Sequence, residues 1–161
     1  MDNLALKDDY GTGTQVTQNS LQLIAFSIGE QTYGVEITTV REIRAWNGAT
    51  PLPNTREYVR GVINLRGTIV PIFDLRARFG EGQTSPTKNH VVVVMSVGDK
   101  WVGILVDAVS DILTVDRNDI HNVPEGNTMD TELLNGIVTH ESRMVGLIDL
   151  HAVVSGAKVD G

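Results

Sequence analysis

The most informative segment of the chain reads Gly61-Val62-Ile63-Asn64-Leu65-Arg66-Gly67-Thr68-Ile69-Val70-Pro71-Ile72-Phe73-Asp74-Leu75. Two runs rich in β-branched residues, 61–65 and 68–74, flank the pair Arg66-Gly67. Because β-branched residues favour strands and a two-residue link with glycine suits a tight turn, this segment predicts a β-hairpin. Pro71 cannot donate a hydrogen bond to a neighbouring strand, so we expect it to mark an edge strand or a bulge.

The same pattern occurs a second time toward the C-terminus. Gly136-Ile137-Val138 repeats Gly61-Val62-Ile63, and Ser96-Val97-Gly98-Asp99 repeats the earlier Ser27-Ile28-Gly29-Glu30. The blocks recur in the same order, and the glycines match as well as the apolar positions. The chain is therefore predicted to contain two copies of one β-unit.

Further runs complete about five strands in each copy. The predicted strands outside the first hairpin are Leu21–Ile28, Thr32–Ile37, His90–Ser96, Lys100–Val106, Gly136–His140 and Met144–Asp149. No segment keeps a 3.6-residue period over three turns, so helices are expected to be few and short, with Thr55–Arg60 and Leu75–Phe79 as the best candidates. The sequence predicts an all-β fold with minor short helices.

Short strands joined by tight turns favour small closed barrels, because closure removes exposed sheet edges. We expect barrel one at about 21–86 and barrel two at about 88–155, with a crevice between them that is suited to binding. Residues 1–20 and 156–161 carry little apolar surface, so both are expected to be flexible tails.

The charge of the chain is negative and unevenly distributed. The net charge is −7, whereas a surface that binds nucleic acid needs clustered cations, so no nucleic acid is expected as a partner. Seven arginines lie between Arg41 and Arg78, while ten acidic and only three basic residues occur from Asp107 onward. Such asymmetry is typical either of a solubilising surface or of a protein whose faces meet different partners.

The side chains that usually perform catalysis or bind metals are absent or wrongly spaced. Cysteine is absent, and the four histidines, at positions 90, 121, 140 and 151, lack the spacing of a zinc site. The sequence has neither a nucleophile elbow nor a phosphate-binding loop. Its apolar runs are too short to span a bilayer. We therefore expect no catalytic residue, no cofactor, no metal and no direct membrane insertion.

Three segments resemble the CheW family of chemotaxis coupling proteins. The 61–75 segment has the pattern G-x-x-N-x-R-G-x-x-x-P-x-x-D-L, which is long and chemically mixed and therefore specific. Tyr33–Ile37 followed by Val40–Arg44 fits the same family, as does Val102–Asp107 with the residues after it. The resemblance covers about Leu21–Val154.

This resemblance implies a fold of two intertwined, five-stranded SH3-like β-barrels and a non-catalytic role as an adaptor. Members of the family link the cytoplasmic tips of transmembrane chemoreceptors, the methyl-accepting chemotaxis proteins, to the regulatory domain of the histidine kinase CheA. The resemblance therefore places the chain in the cytoplasm, recruited to membrane-associated receptor arrays, where it would serve signal transduction and array assembly.

The resemblance also assigns two binding surfaces. The kinase-facing surface is expected on the first barrel at Ile37, Val40, Glu42 and Ile43. The receptor-facing surface is expected near the crevice at Gly61, Leu65, Arg66 and Gly136. Core packing is an equal alternative for the apolar members of the first set, and turn or strand geometry is an alternative for both glycines.

Glu42 and Arg66 are expected to form an ion pair. Arg66 lies at the predicted hairpin tip, where the second copy has Glu141, which suggests that the fold itself does not need the arginine. A guanidinium and a carboxylate make directed, paired hydrogen bonds. We hypothesise that this pair holds the interaction surface in one geometry.

Two other functions stay open at this point. The same adaptor could serve another sensory pathway, such as surface motility or biofilm control, which neighbouring genes would reveal. The crevice between the barrels could instead bind a small ligand, which a thermal-shift screen would detect.

Overall fold

The computed structural model describes residues 19–124 and 131–155, and these residues form ten β-strands with a few short helices. The strands are β1 (Ser20–Ile28), β2 (Gln31–Glu36), β3 (Val40–Ala45), β4 (Val59–Leu65), β5 (Thr68–Asp74), β6 (Val91–Val97), β7 (Lys100–Val106), β8 (Ala108–Asp116), β9 (Leu134–His140) and β10 (Arg143–Ile148). Two short α-helices, α1 (Leu75–Arg78) and α2 (Leu150–Val154), follow β5 and β10. The all-β fold class is confirmed. The two expected tails lie outside the described residues, apart from Asn19 and Ser20.

The turn between β4 and β5 has the predicted tight form. Leu65 pairs with Thr68, which leaves Arg66 and Gly67 as the two turn residues. Both have a positive φ, 52° and 93° respectively, as hairpin turns require for compatibility with the twist of the strands. Glycine adopts this backbone without strain, whereas Arg66 does so at some cost.

Pro71 lies in an interior strand and not at an edge, but the β4–β5 register is irregular beside it, between Val59 and Gly61 opposite Phe73 and Ile72. Val62, which faces Pro71 across β4 and β5, makes both of its backbone hydrogen bonds to Thr50 instead, at 2.8 and 2.9 Å. The parallel pairing of β5 with β7 begins only at Ile72. Proline is tolerated here because neither neighbouring strand requires its missing N–H group.

The two helix candidates have different outcomes. Helix α1 confirms the candidate at 75–79, and the side chain of Asp74 caps it by accepting a hydrogen bond from the Ala77 amide at 3.3 Å. The candidate at 55–60 is wrong, because this segment is a turn that runs into β4. Val59 is 8% exposed and belongs to the core, so burial on a strand prevails over a weak helical preference.

The two sheets exchange strands between the repeats. Sheet A has the order β8-β1-β2-β10-β9, and sheet B has the order β3-β6-β7-β5-β4. Since β1–β5 form the first repeat and β6–β10 the second, each sheet contains the opening hairpin of one repeat and the last three strands of the other. The expected contiguous barrels, 21–86 and 88–155, therefore do not correspond to the sheets.

Short links explain this exchange. Strand β8 lies antiparallel to β1 and therefore runs parallel to β2. Strand β3 is the counterpart of β8 in the first repeat, so it would occupy the position beside β1 if it stayed in sheet A. To do so, the chain would have to return along the whole length of a strand, about 20 Å for six residues. Only Ile37–Thr39 separate β2 from β3, and only Asp107 separates β7 from β8. Links of three residues and one residue are too short for that return, so the chain continues into the other sheet.

The sheets pack on a common core. Phe26 and Tyr33 of sheet A and Phe73 of sheet B belong to one cluster of buried side chains. Tyr33 stacks on Phe79, which follows α1, with 4.9 Å between ring centroids. Burial, together with the nearby charge of Glu81, raises the pKa of Tyr33 to about 12. The surfaces carried by the two sheets are thus fixed relative to each other by dense apolar packing.

Candidate functional site

The ion pair proposed from the sequence is present at the surface of sheet B. The Nη2 atom of Arg66 donates to Oε1 of Glu42 at 2.9 Å, and Nη1 of Arg44 lies 3.5 Å from Oε2 of the same carboxylate. The Glu42 side chain is 25% exposed and that of Arg66 is 70% exposed. One carboxylate thus links the edge strand β3 to the β4–β5 turn.

The local structure fixes the position of Arg66. The side chain of Asn64 closes the turn, because its Oδ1 atom accepts a hydrogen bond from the Gly67 amide at 2.8 Å. Such a turn holds the arginine Cα rigidly beside the sheet edge, so only the side chain has to be ordered to reach Glu42.

The apolar candidates for kinase binding divide into two groups. Ile43 is 42% exposed and lies next to Glu42 on the edge strand. Ile37 and Val40 are only partly buried but pack against the common core. Ile43 is therefore the most accessible of the three to a partner, whereas Ile37 and Val40 divide their surface between the core and the exterior.

Three of the four receptor candidates are buried. Leu65 is 2% exposed and belongs to the interior of sheet B, and Gly61 and Gly136 are buried as well. The surfaces of these three residues are covered by other parts of the chain, so their role in receptor binding stays a prediction. Arg66 is the exposed member of this set.

The two glycines accommodate loops that cross the sheet edges. A Cβ atom at Gly61 would lie 2.1 Å from the Thr50 carbonyl oxygen, and φ is +133°. A Cβ atom at Gly136 would lie 2.7 Å from the Ile120 side chain and 3.0 Å from the His121 carbonyl oxygen. Glycine is thus required at both positions because another part of the backbone approaches closely.

Sheet A carries an equivalent surface that sequence reasoning missed. Asp111, the repeat counterpart of Glu42, accepts from Nη2 of Arg143 at 3.4 Å. Ile112 and Met144, the counterparts of Ile43 and Ile69, are 55% and 62% exposed. The comparison of Glu141 with Arg66 suggested that the second repeat lacks this cation, but Arg143 provides it two residues after Glu141. The repeat alignment contained the signal, since it placed Asp111 opposite Glu42.

A crevice of about 310 Å³ lies between the sheets, where β2 and the end of β10 face the β6–β7 turn. Within residues 19–124 and 131–155, no group of three or more His, Cys, Asp or Glu side chains is arranged to hold a metal ion. In the same ranges, no helix is long and apolar enough to cross a membrane.

The CheW-like domain family matches residues 22–158, which is most of the chain. The chain belongs to the CheW family. The chemotaxis protein CheW of Rhizobium meliloti (strain 1021) is 45% identical over 139 residues, covering 86% of this chain and 90% of its own length. The probable chemotaxis protein CheW of Rhizobium etli is 47% identical over 141 residues, covering 87% and 91% respectively.

A solved structure supports the same relationship. The scaffolding protein TtCheW from Thermoanaerobacter tengcongensis has a TM-score of 0.79 and 31% identity, covering 88% of this chain and 94% of that protein. The two sheets of this CheW-family chain are thus its SH3-like barrels. Its role is that of a non-catalytic chemotaxis adaptor.

Proposed function

We propose that this chain couples transmembrane chemoreceptors to the regulatory domain of the histidine kinase CheA, in the cytoplasm and at membrane-associated receptor arrays. The observation that carries the proposal is the Glu42–Arg66 ion pair at 2.9 Å beside the exposed Ile43. An apolar side chain next to an ordered, highly exposed charge is typical of a protein-binding surface.

The kinase domain would dock on the outer edge of sheet B. Strand β3 is an edge strand, so its exposed face is accessible from the side as well as from above. Ile43 would provide apolar contact, and Glu42 would be held in place by Arg66 and Arg44. Ile37 and Val40 would support the same edge from below, where they contact the core.

The receptor tip would dock nearby, at Arg66 and the crevice between the sheets. Gly61, Leu65 and Gly136 would act indirectly in this arrangement, by allowing loops and strands to pack closely beneath the surface. A helical hairpin from a receptor would lie in this crevice, because amphipathic helices bind in grooves between packed elements.

The experiment compares Ile43→Asp with the matched control Ile112→Asp, which changes the equivalent exposed residue of sheet A. Affinity for the purified kinase regulatory domain is measured by titration calorimetry, and folding is checked by circular dichroism. We expect Ile43→Asp to weaken binding at least tenfold and the control to have little effect. Equal losses in both variants would contradict the assignment of the kinase to sheet B.

A receptor experiment uses Arg66→Ala and its sheet A counterpart Arg143→Ala. Binding of both variants to nanodisc-embedded receptor is compared with that of the parent chain. Arg66→Ala should lower receptor binding several-fold, because it removes the exposed cation at the proposed contact. Undiminished receptor binding would move the receptor surface away from the β4–β5 turn.

A further inference from the structure

Sheet A is open between its two edge strands, β8 and β9. The opening is a cavity of about 490 Å³ lined by residues 111–116 of β8, Asp119, and residues 139–141 at the end of β9. We call this cavity groove A. It lies on the sheet that the proposed kinase surface does not use.

The outer edge of β8 has backbone groups that face groove A. The Arg117 amide donates to the Asn19 carbonyl at 2.9 Å, so Arg117 faces β1. From Asp116 back to Asp111, β8 pairs with β1 without a shift in register. Backbone groups alternate in direction along an antiparallel strand, so those of Leu113 and Val115 face β1. The N–H and C=O groups of Ile112 and Thr114 consequently face groove A.

The outer edge of β9 faces the same space. Ile137 exchanges both backbone hydrogen bonds with His121, at 2.8 Å each. Thr139 lies two residues further along, so its N–H and C=O groups point to the same side. Groove A is therefore bordered on both sides by strand edges that are able to pair with an added strand.

The charge of groove A is mainly negative, although one of its carboxylates, Asp111, is paired with Arg143 at 3.4 Å. Its lining includes four carboxylates and neither lysine nor arginine: Asp111, Asp116, Asp119 and Glu141. The corresponding groove of sheet B, between β3 and β4, is lined by Arg44 and by no acidic residue. The two grooves have the same architecture and opposite charge, so groove A favours a cationic occupant.

We propose that groove A binds an extended, basic segment of a partner protein, which adds to β8 as a further strand. Lysine or arginine side chains of the segment would face the carboxylates, and alternate apolar side chains would contact the exposed Ile112 at the groove. Strand addition obtains its affinity from backbone pairing and its selectivity from the alternating side chains. This surface is separate from the Glu42–Arg66 region and does not depend on the kinase assignment.

The test uses a capped peptide of four Lys-Val repeats, with a Glu-Val peptide as the charge control. Fluorescence anisotropy measures binding to the full chain, and amide chemical shifts report where the peptide lies. We expect the basic peptide alone to bind, with the largest shifts at Thr114 and Thr139. Shifts spread over the whole surface, or equal binding of the acidic peptide, would overturn the proposal.

Two matched protein variants separate strand addition from adsorption to an acidic protein. Thr114→Pro removes one of the amides that face groove A without removing a hydrogen bond to β1, and it should lower the affinity at least tenfold relative to Thr114→Ala. Asp119→Lys should weaken binding much more than Asp99→Lys, an equal charge change at the exposed β6–β7 turn. Equal effects within either pair would overturn the proposal.

A modified peptide keeps the test valid if Thr114→Pro fails to fold. Methylation of alternate backbone nitrogens of the Lys-Val peptide leaves its charge unchanged but removes the donors needed for pairing. The peptide methylated on its pairing face should lose binding, and the one methylated on the opposite face should keep it. Equal binding of both methylated peptides would show that no strand is added.

Discussion

The ion pair between Glu42 and Arg66 contributes little to the stability of the fold. The side chain of Arg66 is 70% exposed, and exposed pairs of this kind contribute under about 1 kcal/mol because solvent screens them. The pair therefore acts mainly on geometry. It holds an arginine that would otherwise sample many rotamers against one edge of sheet B.

Exchange of the two charges tests this geometric role. Glu42→Arg and Arg66→Glu should each weaken kinase binding with less than about 1 kcal/mol change in the free energy of unfolding. The double variant should recover a substantial part of the affinity, because the pair can form in the opposite sense. Calorimetric titration of all four proteins gives the coupling energy, and a value near zero would remove the geometric role.

Asp74 is a charged residue that does stabilise the fold. Its side chain is fully buried, lies 3.1 Å from Nη2 of Arg60, and accepts from both the amide and the hydroxyl of Thr84 at 2.7 Å. It thereby anchors the linker that connects the two repeats. Asp149, its repeat counterpart, is partly exposed and accepts from the Ala152 amide at 3.2 Å.

Removal of these two carboxylates should therefore have different costs. Asp74→Ala should lower the free energy of unfolding by about 3 kcal/mol or more, because it leaves the Arg60 charge without its buried partner. Asp149→Ala should cost about 1 kcal/mol, as expected for a helix cap. Urea denaturation of both variants measures the difference, and similar midpoints would contradict this interpretation.

At the scale of elements, loops that cross the outer edges of β4 and β9 determine where glycine is required. Thr50 bridges to Val62 on β4, and His121 bridges to Ile137 on β9. Each bridge covers part of an edge strand that would otherwise be open to pairing with another chain. Each also brings a loop onto the glycine one residue earlier in the strand.

Gly61→Ala should be much more damaging than Gly136→Ala. At Gly61 the new methyl group meets a backbone carbonyl and φ is +133°, so the cost should be about 3 kcal/mol or more. At Gly136 φ is not positive and the nearest backbone oxygen, that of His121, lies 3.0 Å from the new methyl group instead of 2.1 Å, so a cost of about 1–2 kcal/mol is expected. Thermal unfolding provides the ranking, with Gly67→Ala as a control that has a positive φ but no atom within 4 Å of the new methyl group.

The hairpins were predictable because their signals are local. Glycine turns and β-branched runs placed β5 and β7 at their observed bounds, and the repeat gave the number of strands. Burial of Leu65 and Gly61 was not predictable, since a strand pattern does not reveal which edge a distant loop will cover. The Asp111–Arg143 pair was missed because its cation is displaced from the repeat position of Arg66.

At the scale of the whole molecule, the exchange of strands makes each repeat dependent on the other. Both repeats show the same alternation of apolar and polar residues. This periodicity therefore does not distinguish barrels built from one repeat each from barrels that exchange strands between the repeats. The lengths of the links do distinguish the two arrangements. The link between β7 and β8 is a single residue, Asp107, which is too short to return the chain to the sheet that contains β7. Asp107 also accepts from the Gly29 amide at 2.7 Å and from Arg76 at 2.9 Å, which ties this link to both sheets.

Separate expression of the repeats tests this dependence. The fragments 1–86 and 87–161 each lack strands from both sheets, so neither should show cooperative unfolding alone. Mixed in equal amounts, they should regain the circular dichroism of the intact chain, because all ten strands are then present. A fragment that folds independently would contradict the exchanged topology.

The exchange also affects the order in which the protein acquires structure during synthesis. Sheet B is complete once Val106 has left the ribosome, but the opening hairpin of β1 and β2 still lacks β8, β9 and β10. At ordinary rates of translation the hairpin waits on the order of ten seconds for Ile148. During that interval Phe26 and Tyr33 have only part of their final surroundings, so the nascent chain passes through a stage that a chaperone is suited to protect.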